Sequence, residues 1–264
     1  MTPRARIAAL FCAALLSACD AFEKNAVQEI SGPVPTGAQI KFFNFGVNAP
    51  AVNFYADSRK MTAVGSTSQE ESSLGVAYGG VGAGGFYTAI GAESYTLMGK
   101  ISAAGADKDR TISSLPATLE EGRLYSFYQS GFYDGTAKTV DAFIVEDNFT
   151  PQFDYTVAYV RFVNAIANAS PMILYATKAA PPDSGVVDTL GAAVAYKGAS
   201  AFMALTPGLY NLAMRYVDST ANKISRTGVS FLGGRIYTIG ARGDITVTST
   251  TATNRPFLDN TTNR

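Results

Sequence analysis

Serine and threonine hydroxyls are plentiful in this chain, but a hydroxyl becomes a nucleophile only beside a base, and the sequence contains no histidine. That absence also removes the imidazole of the common hydrolytic triads and the commonest zinc ligand. Neither S-x-x-K nor G-x-S-x-G is present. Acidic pairs stand at Glu70-Glu71, Glu120-Glu121 and Glu146-Asp147, and Asp107-Lys108-Asp109 could offer two carboxylates to one calcium ion. A calcium site takes roughly six to eight oxygens. No D-x-D-x-D-G loop supplies them, so these acids read as solvated loop charge. The paired carboxylates of a glycoside hydrolase can lie far apart in a chain, and nothing favours a particular pair. Gly80-Val81-Gly82-Ala83-Gly84-Gly85 has the G-x-G-x-x-G spacing of a dinucleotide loop. That loop must open a helix whose N-terminus meets the pyrophosphate, whereas the strand-like run Phe86 to Ile90 follows here. We read it as a turn. Tyr78, Phe86, Tyr87, Phe127, Tyr128, Phe132 and Tyr133 could line a glycan or peptide groove, although strand alternation turns half of any such set inward. No catalytic residue, cofactor-binding residue or metal ligand is assigned.

Cys19 is different. Leu16-Ser17-Ala18-Cys19 closes a segment with Arg4 and Arg6 at its head and an apolar stretch from Ile7 to Leu16, the layout of a secretory signal. A helix of that length covers about 15 Å, half of the roughly 30 Å hydrocarbon thickness of a bilayer, so the segment is a signal and not an anchor. The four residues resemble a bacterial lipobox. That resemblance implies that Cys19 receives a diacylglyceryl thioether and becomes the first residue of the mature chain, usually N-acylated. At about 0.8 kcal/mol per buried methylene, two or three acyl chains hold a protein on a membrane without a spanning helix. Asp20 resembles the inner-membrane retention signal of enteric bacteria, a rule other lineages do not follow. The expected location is the cell envelope, lipid-anchored, with the outer membrane favoured over the inner and the leaflet left open.

The elements that carry these residues are short. Residues 1–18 are the signal peptide, and residues 19–36, polar and with Pro33 and Pro35, form a lipidated flexible tether. From Gly37 onward, runs of five to ten residues rich in Val, Ile, Phe, Tyr and Thr alternate with Gly, Pro, Asn and Asp, the pattern of an all-β chain. Cys12 leaves with the signal and Cys19 is committed to lipid, so the mature chain has no disulfide and must be stabilised by packing. No basic cluster stands out, which leaves nucleic acid without the phosphate neutralisation its affinity needs.

A repeat organises the runs. Lys41 to Ala56 aligns with Arg161 to Ala176, matching Asn44 with Asn164, Asn48 with Asn168 and Tyr55 with Tyr175. Leu74 to Tyr78 is echoed by Leu190 to Tyr196, Gly85 to Leu97 by Ala201 to Leu212, and Glu121 to Phe127 by Gly233 to Ile239. The order and spacing of these blocks imply two tandem modules. We therefore expect an all-β fold of two tandem immunoglobulin-like antiparallel β-sandwich domains, 37–150 and 151–249, with 250–264 as a flexible tail. Gly208-Leu209-Tyr210 resembles the tyrosine corner of such folds.

At these blocks the chain resembles a bacterial envelope family known as domain of unknown function 4397. Lys41-Phe42-Phe43-Asn44 with Ala49-Pro50-Ala51-Val52-Asn53-Phe54-Tyr55 carries its opening strand-and-turn phrase, and Arg161-Phe162-Val163-Asn164 with Pro171 carries it again. The aspartate that often precedes the "V-Y" of that phrase is Asn53 here and Ile173 in the second copy. The resemblance implies a lipid-anchored or secreted sandwich of unassigned activity. The function expected is non-enzymatic binding or scaffolding in the envelope, with the membrane as partner through the lipid and an envelope protein or glycan as ligand. The alternative is a carbohydrate-binding or carbohydrate-active envelope module.

Overall fold

The computed structural model describes residues 36–65, 71–149 and 154–264. The signal, Cys19, Glu70 and all of the tether but Thr36 lie outside the described residues. The β-rich reading is what the described residues adopt: among them seventeen strands make four sheets, and the only helical element is a 3-10 turn at Gly82–Gly85. Among the described residues no helix is long and apolar enough to cross a membrane.

The sheets fall into two facing pairs. In the first, β1 (Ala38–Asn44), β8 (Leu124–Asp134) and β9 (Thr139–Glu146) lie side by side, with β4 (Gly80–Val81) and β5 (Thr88–Ile90) on the free edge of β1. Its facing sheet runs β3 (Arg59–Lys60), β2 (Val52–Ala56), β6 (Ser94–Ile101), β7 (Thr111–Thr118). The second pair repeats the plan. One sheet runs β13 (Met203–Leu205), β10 (Ala158–Asn164), β16 (Ile236–Arg242), β17 (Phe257–Thr262). The other runs β12 (Val187–Val194), β11 (Met172–Lys178), β14 (Gly208–Tyr216), β15 (Ile224–Phe231). Pairing is antiparallel except between β1 and β8, with Phe42 opposite Phe127, and between β10 and β16, with Phe162 opposite Ile239. Parallel neighbours need a long connection, and in each sandwich the rest of the strands supply it.

Each pair closes on its own apolar cluster. Ile40, Phe54, Leu97 and Phe127 are fully buried in the first, and Phe162, Leu174, Met214 and Ile239 in the second. Phe42 and Phe54 stack across the two layers at 5.2 Å. The repeated asparagines are internal staples. Asn44 donates to the carbonyls of Val76 (2.9 Å) and Pro50 (3.2 Å), and its Oδ1 accepts from the Gly46 amide (3.3 Å). Asn164 donates to the Val194 carbonyl (3.1 Å) and accepts from the Ile166 amide (3.0 Å). Each thus satisfies backbone groups where its strand ends, which a buried chain must do. The two tyrosines of the repeat reach back four residues, Tyr95 to the Gly91 carbonyl (3.2 Å) and Tyr210 to that of Thr206 (2.7 Å).

The expected flexible tail at 250–264 is corrected. Phe257–Thr262 forms β17, paired residue for residue with β16, and Leu258 is fully buried. Its polar sequence fits an edge strand whose Asp259 is held by Arg242 at 2.5 Å.

Candidate functional site

Strands β1, β8, β10 and β16 are buried on both faces, which is why they read as nearly continuous apolar runs. Ile40 and Phe42 point into the first sandwich, so the alternate residues Lys41, Phe43 and Phe45 must point out of it. These outward residues are covered by the outer face of the second sandwich. Phe43, Phe45, Tyr128 and Phe143 meet Val163 and Ala165 in a third buried cluster. Tyr128 stacks between Phe43 (4.5 Å) and Phe143 (5.0 Å). Thr36–Arg264 accordingly forms one compact unit.

The two faces meet in a quasi-twofold way. By strand register Lys41 matches Arg161, Ser126 matches Thr238, and Tyr128 matches Gly240. Large aromatics of the first sandwich thus face small residues of the second. The polar groups form one connected network beside the aromatic cluster, with a cation toward each flank and the Tyr87 hydroxyl joining them. Arg161, with its side chain 2 % exposed, donates to the Glu146 carbonyl (3.0 Å) and the Thr238 hydroxyl (3.0 Å), and forms an ion pair with the fully buried Asp147. Asp147 also accepts from Ser126 (2.7 Å) and Tyr87 (2.5 Å). On the other flank Lys41 donates to the Thr262 carbonyl (2.8 Å), and Asn263 donates to the Tyr87 hydroxyl (2.9 Å). Each cation lies over an aromatic ring, Lys41 over Tyr87 at 4.3 Å and Arg161 over Phe202 at 4.7 Å. Burial pushes the Lys41 ammonium down to about 8 despite the attraction of Asp147. Burial and the neighbouring Asp147 carboxylate raise the Tyr87 phenol above its ordinary range.

Both flanks open to solvent as clefts. The cleft at Lys41, of about 430 Å³, is walled by Phe86, Tyr87, Arg235 and the end of β17. That at Arg161, of about 410 Å³, is walled by Glu146, Tyr159 and Phe202.

The aromatic set singled out in the sequence is not one groove. Phe127 lies in the first core, Tyr128 in the seam and Tyr87 beneath Lys41, while Phe86 is 77 % exposed at the cleft rim. Tyr78 lies under the Arg242 guanidinium (4.7 Å), and Tyr133 packs on the first core. The glycine-rich segment ends in the 3-10 turn, with Ala83 and Gly84 left-handed and extended backbone after it. The acids are tied to cations: Glu71 to Lys60, Glu120 to Arg123 (3.8 Å), Glu146 to Arg123 (3.0 Å) and Asp107 to Lys138 (3.2 Å). Among the described residues no group of three or more Asp, Glu, Cys or His is placed to hold a metal. Sequence reasoning passed over Lys41, Arg161 and Asp147 as a site. Their signal was a cation at the same place in both copies, set inside an apolar strand.

What fold and seam define is an all-β protein of sandwich layers. No protein-family model matches the chain, and comparison with curated proteins found no match. Among solved structures it is similar to the CBMbc module (family CBM26) of Eubacterium rectale Amy13K, solved in complex with maltoheptaose. That match has 10 % identity over 85 % of this chain and 95 % of the other, with a TM-score of 0.21, which is too low to carry an argument about fold or ligand.

Proposed function

We propose that this chain is a lipid-anchored protein of the bacterial cell envelope with a non-enzymatic binding or scaffolding role, similar to the domain of unknown function 4397 family. The anchor is Cys19, and the outer membrane is its expected site. The observation that supports a scaffold is the seam. A third apolar cluster and a sealed Arg161–Asp147 pair fix the two sandwiches against each other, so surfaces on both are presented in a constant relation. The test of the anchor is fractionation of the Cys19→Ala variant, which is expected in the soluble fraction. Membrane association of that variant surviving carbonate extraction would refute the reading.

A carbohydrate-binding role is the second reading, supported by the aromatic rings and polar side chains that wall the two clefts. For a glycoside hydrolase the carboxylate pair is what matters. No Asp or Glu side chain lines the cleft at Lys41, and Glu146 alone lines the cleft at Arg161.

A further inference from the structure

The quasi-twofold seam compares two versions of one cleft within a single molecule. On the Arg161 side, Arg123 pairs with Glu146 at 3.0 Å and Arg161 pairs with Asp147, so both cations have carboxylate partners. Strand register gives their counterparts. Arg123 and Arg235 occupy one place, each with its carbonyl bonded to the amide of the first strand, Gln39 (3.0 Å) or Tyr159 (2.9 Å). Glu146 opposite Tyr125 matches Thr262 opposite Tyr237. Asp147, whose amide bonds to the Leu124 carbonyl (2.7 Å), matches Asn263, bonded to that of Ile236 (2.7 Å). Both acids are therefore neutral side chains on the Lys41 side, where Lys41 and Arg235 line the cleft with no Asp or Glu side chain, and Asp147 reaches this side only from behind Tyr87. The main-chain carboxylate of Arg264 accepts from the Ile236 amide (3.2 Å) and is the one negative charge among the described residues lining this cleft.

We propose that the cleft at Lys41 binds the oxyanion of an acidic saccharide, a carboxylate or a phosphate carried on a sugar. Lys41 sits at the floor, its ammonium largely withdrawn from water and still mostly charged at neutral pH, where a buried cation gains most from an anion. Arg235, exposed at the wall, supplies a planar donor fork. Phe86, held out on the glycine-rich turn, offers an apolar ring on which the carbon face of a sugar can rest, which a site for a bare anion does not need. The cleft at Arg161 binds no such ligand, because its cations are already neutralised.

This inference rests on the binding role proposed above, and its test is independent of the anchor. Full-length protein in detergent is titrated calorimetrically with trigalacturonate, with glucose 6-phosphate, with a neutral trisaccharide and with inorganic phosphate. Trigalacturonate or the sugar phosphate should bind, weakening with salt, while the neutral sugar and inorganic phosphate bind at least about tenfold more weakly. The surface changes Arg235→Ala and Thr262→Glu, the latter restoring the acid of the other cleft, should each weaken binding by about tenfold or more with unaltered thermal unfolding. Lack of binding by both acidic saccharides at millimolar concentration, equal binding of the neutral sugar or inorganic phosphate, or indifference to both changes would overturn the proposal. Shorter products from trigalacturonate would instead refute the non-enzymatic reading and leave the site standing.

Discussion

The ring of Phe45 fills the space that a side chain on Gly240 would need: a Cβ built there would stand 2.9 Å from Phe45 Cε2. The position equivalent to Gly240 in the first sandwich holds Tyr128, so the seam closes by setting bulk on one face against its absence on the other. Gly240→Ala should therefore destabilise by about 1–3 kcal/mol, the usual cost of overpacking a filled core. In a Phe45→Ala background the same change should cost close to nothing. Urea denaturation of the four proteins of this cycle measures the coupling, and additive effects would show that ring and glycine do not meet.

Asp147 and Arg161 are sealed within the seam, and Asp147 also takes the Ser126 and Tyr87 hydroxyls. Removing one member leaves the other charge buried without a partner, which costs about 3–5 kcal/mol, whereas replacing both with apolar side chains can be near neutral. Asp147→Asn is thus expected to lower stability strongly, and Asp147→Leu with Arg161→Met to recover most of the loss. A double variant as unstable as Asp147→Asn would mean that the pair holds the seam by more than mutual neutralisation.

Asn44 and Asn164 do the same work in the two copies, and Asn44 does more, since its Oδ1 also accepts from the Gln129 side chain at 2.9 Å. Truncation to Ala leaves buried backbone groups unpaired at roughly 1–3 kcal/mol each. Asn44→Ala should cost more than Asn164→Ala, and Asn164→Ala should speed hydrogen exchange at the Ile166 amide. An unchanged Ile166 rate would remove the staple from the account.

The repeat and the strands were legible because their signals are local. The short β-like runs stood out by composition, the repeat block Lys41 to Ala56 reaches from β1 through β2, and the paired asparagines stood out by position. The repeat block Leu74 to Tyr78 carries no strand in the fold, and its Val76 makes only an isolated bridge to Val52. The seam was hidden for a physical reason. A lysine between Ile40 and Phe42 looks like the solvent face of a half-buried strand, and only the partner sheet shows that β1 has no solvent face. The end of the chain misled in the opposite sense. β17 is polar because it is an edge strand stabilised by pairing and by Arg242, neither of which leaves an apolar pattern.

Lys41 makes stability depend on pH in a direction opposite to that of a paired lysine. Burial lowers it from the ordinary 10.5 to about 8, so the folded chain releases this proton earlier than the unfolded chain. Between those values the unfolded state binds more protons, and stability must rise with pH. Below about pH 8 the cost of the buried charge is present in full. Tyr95 and Tyr196, pushed up to about 12 by burial first, act in the other sense above pH 10, where the unfolded chain ionises its tyrosines and the folded chain does not. The clean window is therefore pH 8 to 9.5, and the clean quantity is the difference from Lys41→Met, which cancels every other titration. Wild-type stability relative to that variant should rise across the window by on the order of 1 kcal/mol, the roughly 1.4 kcal/mol per unit being reduced by water at the cleft mouth. A difference that stays flat, measured by denaturant unfolding at half-unit steps, would mean that water reaches the ammonium freely and that the floor of this cleft is not the desolvated cation described above.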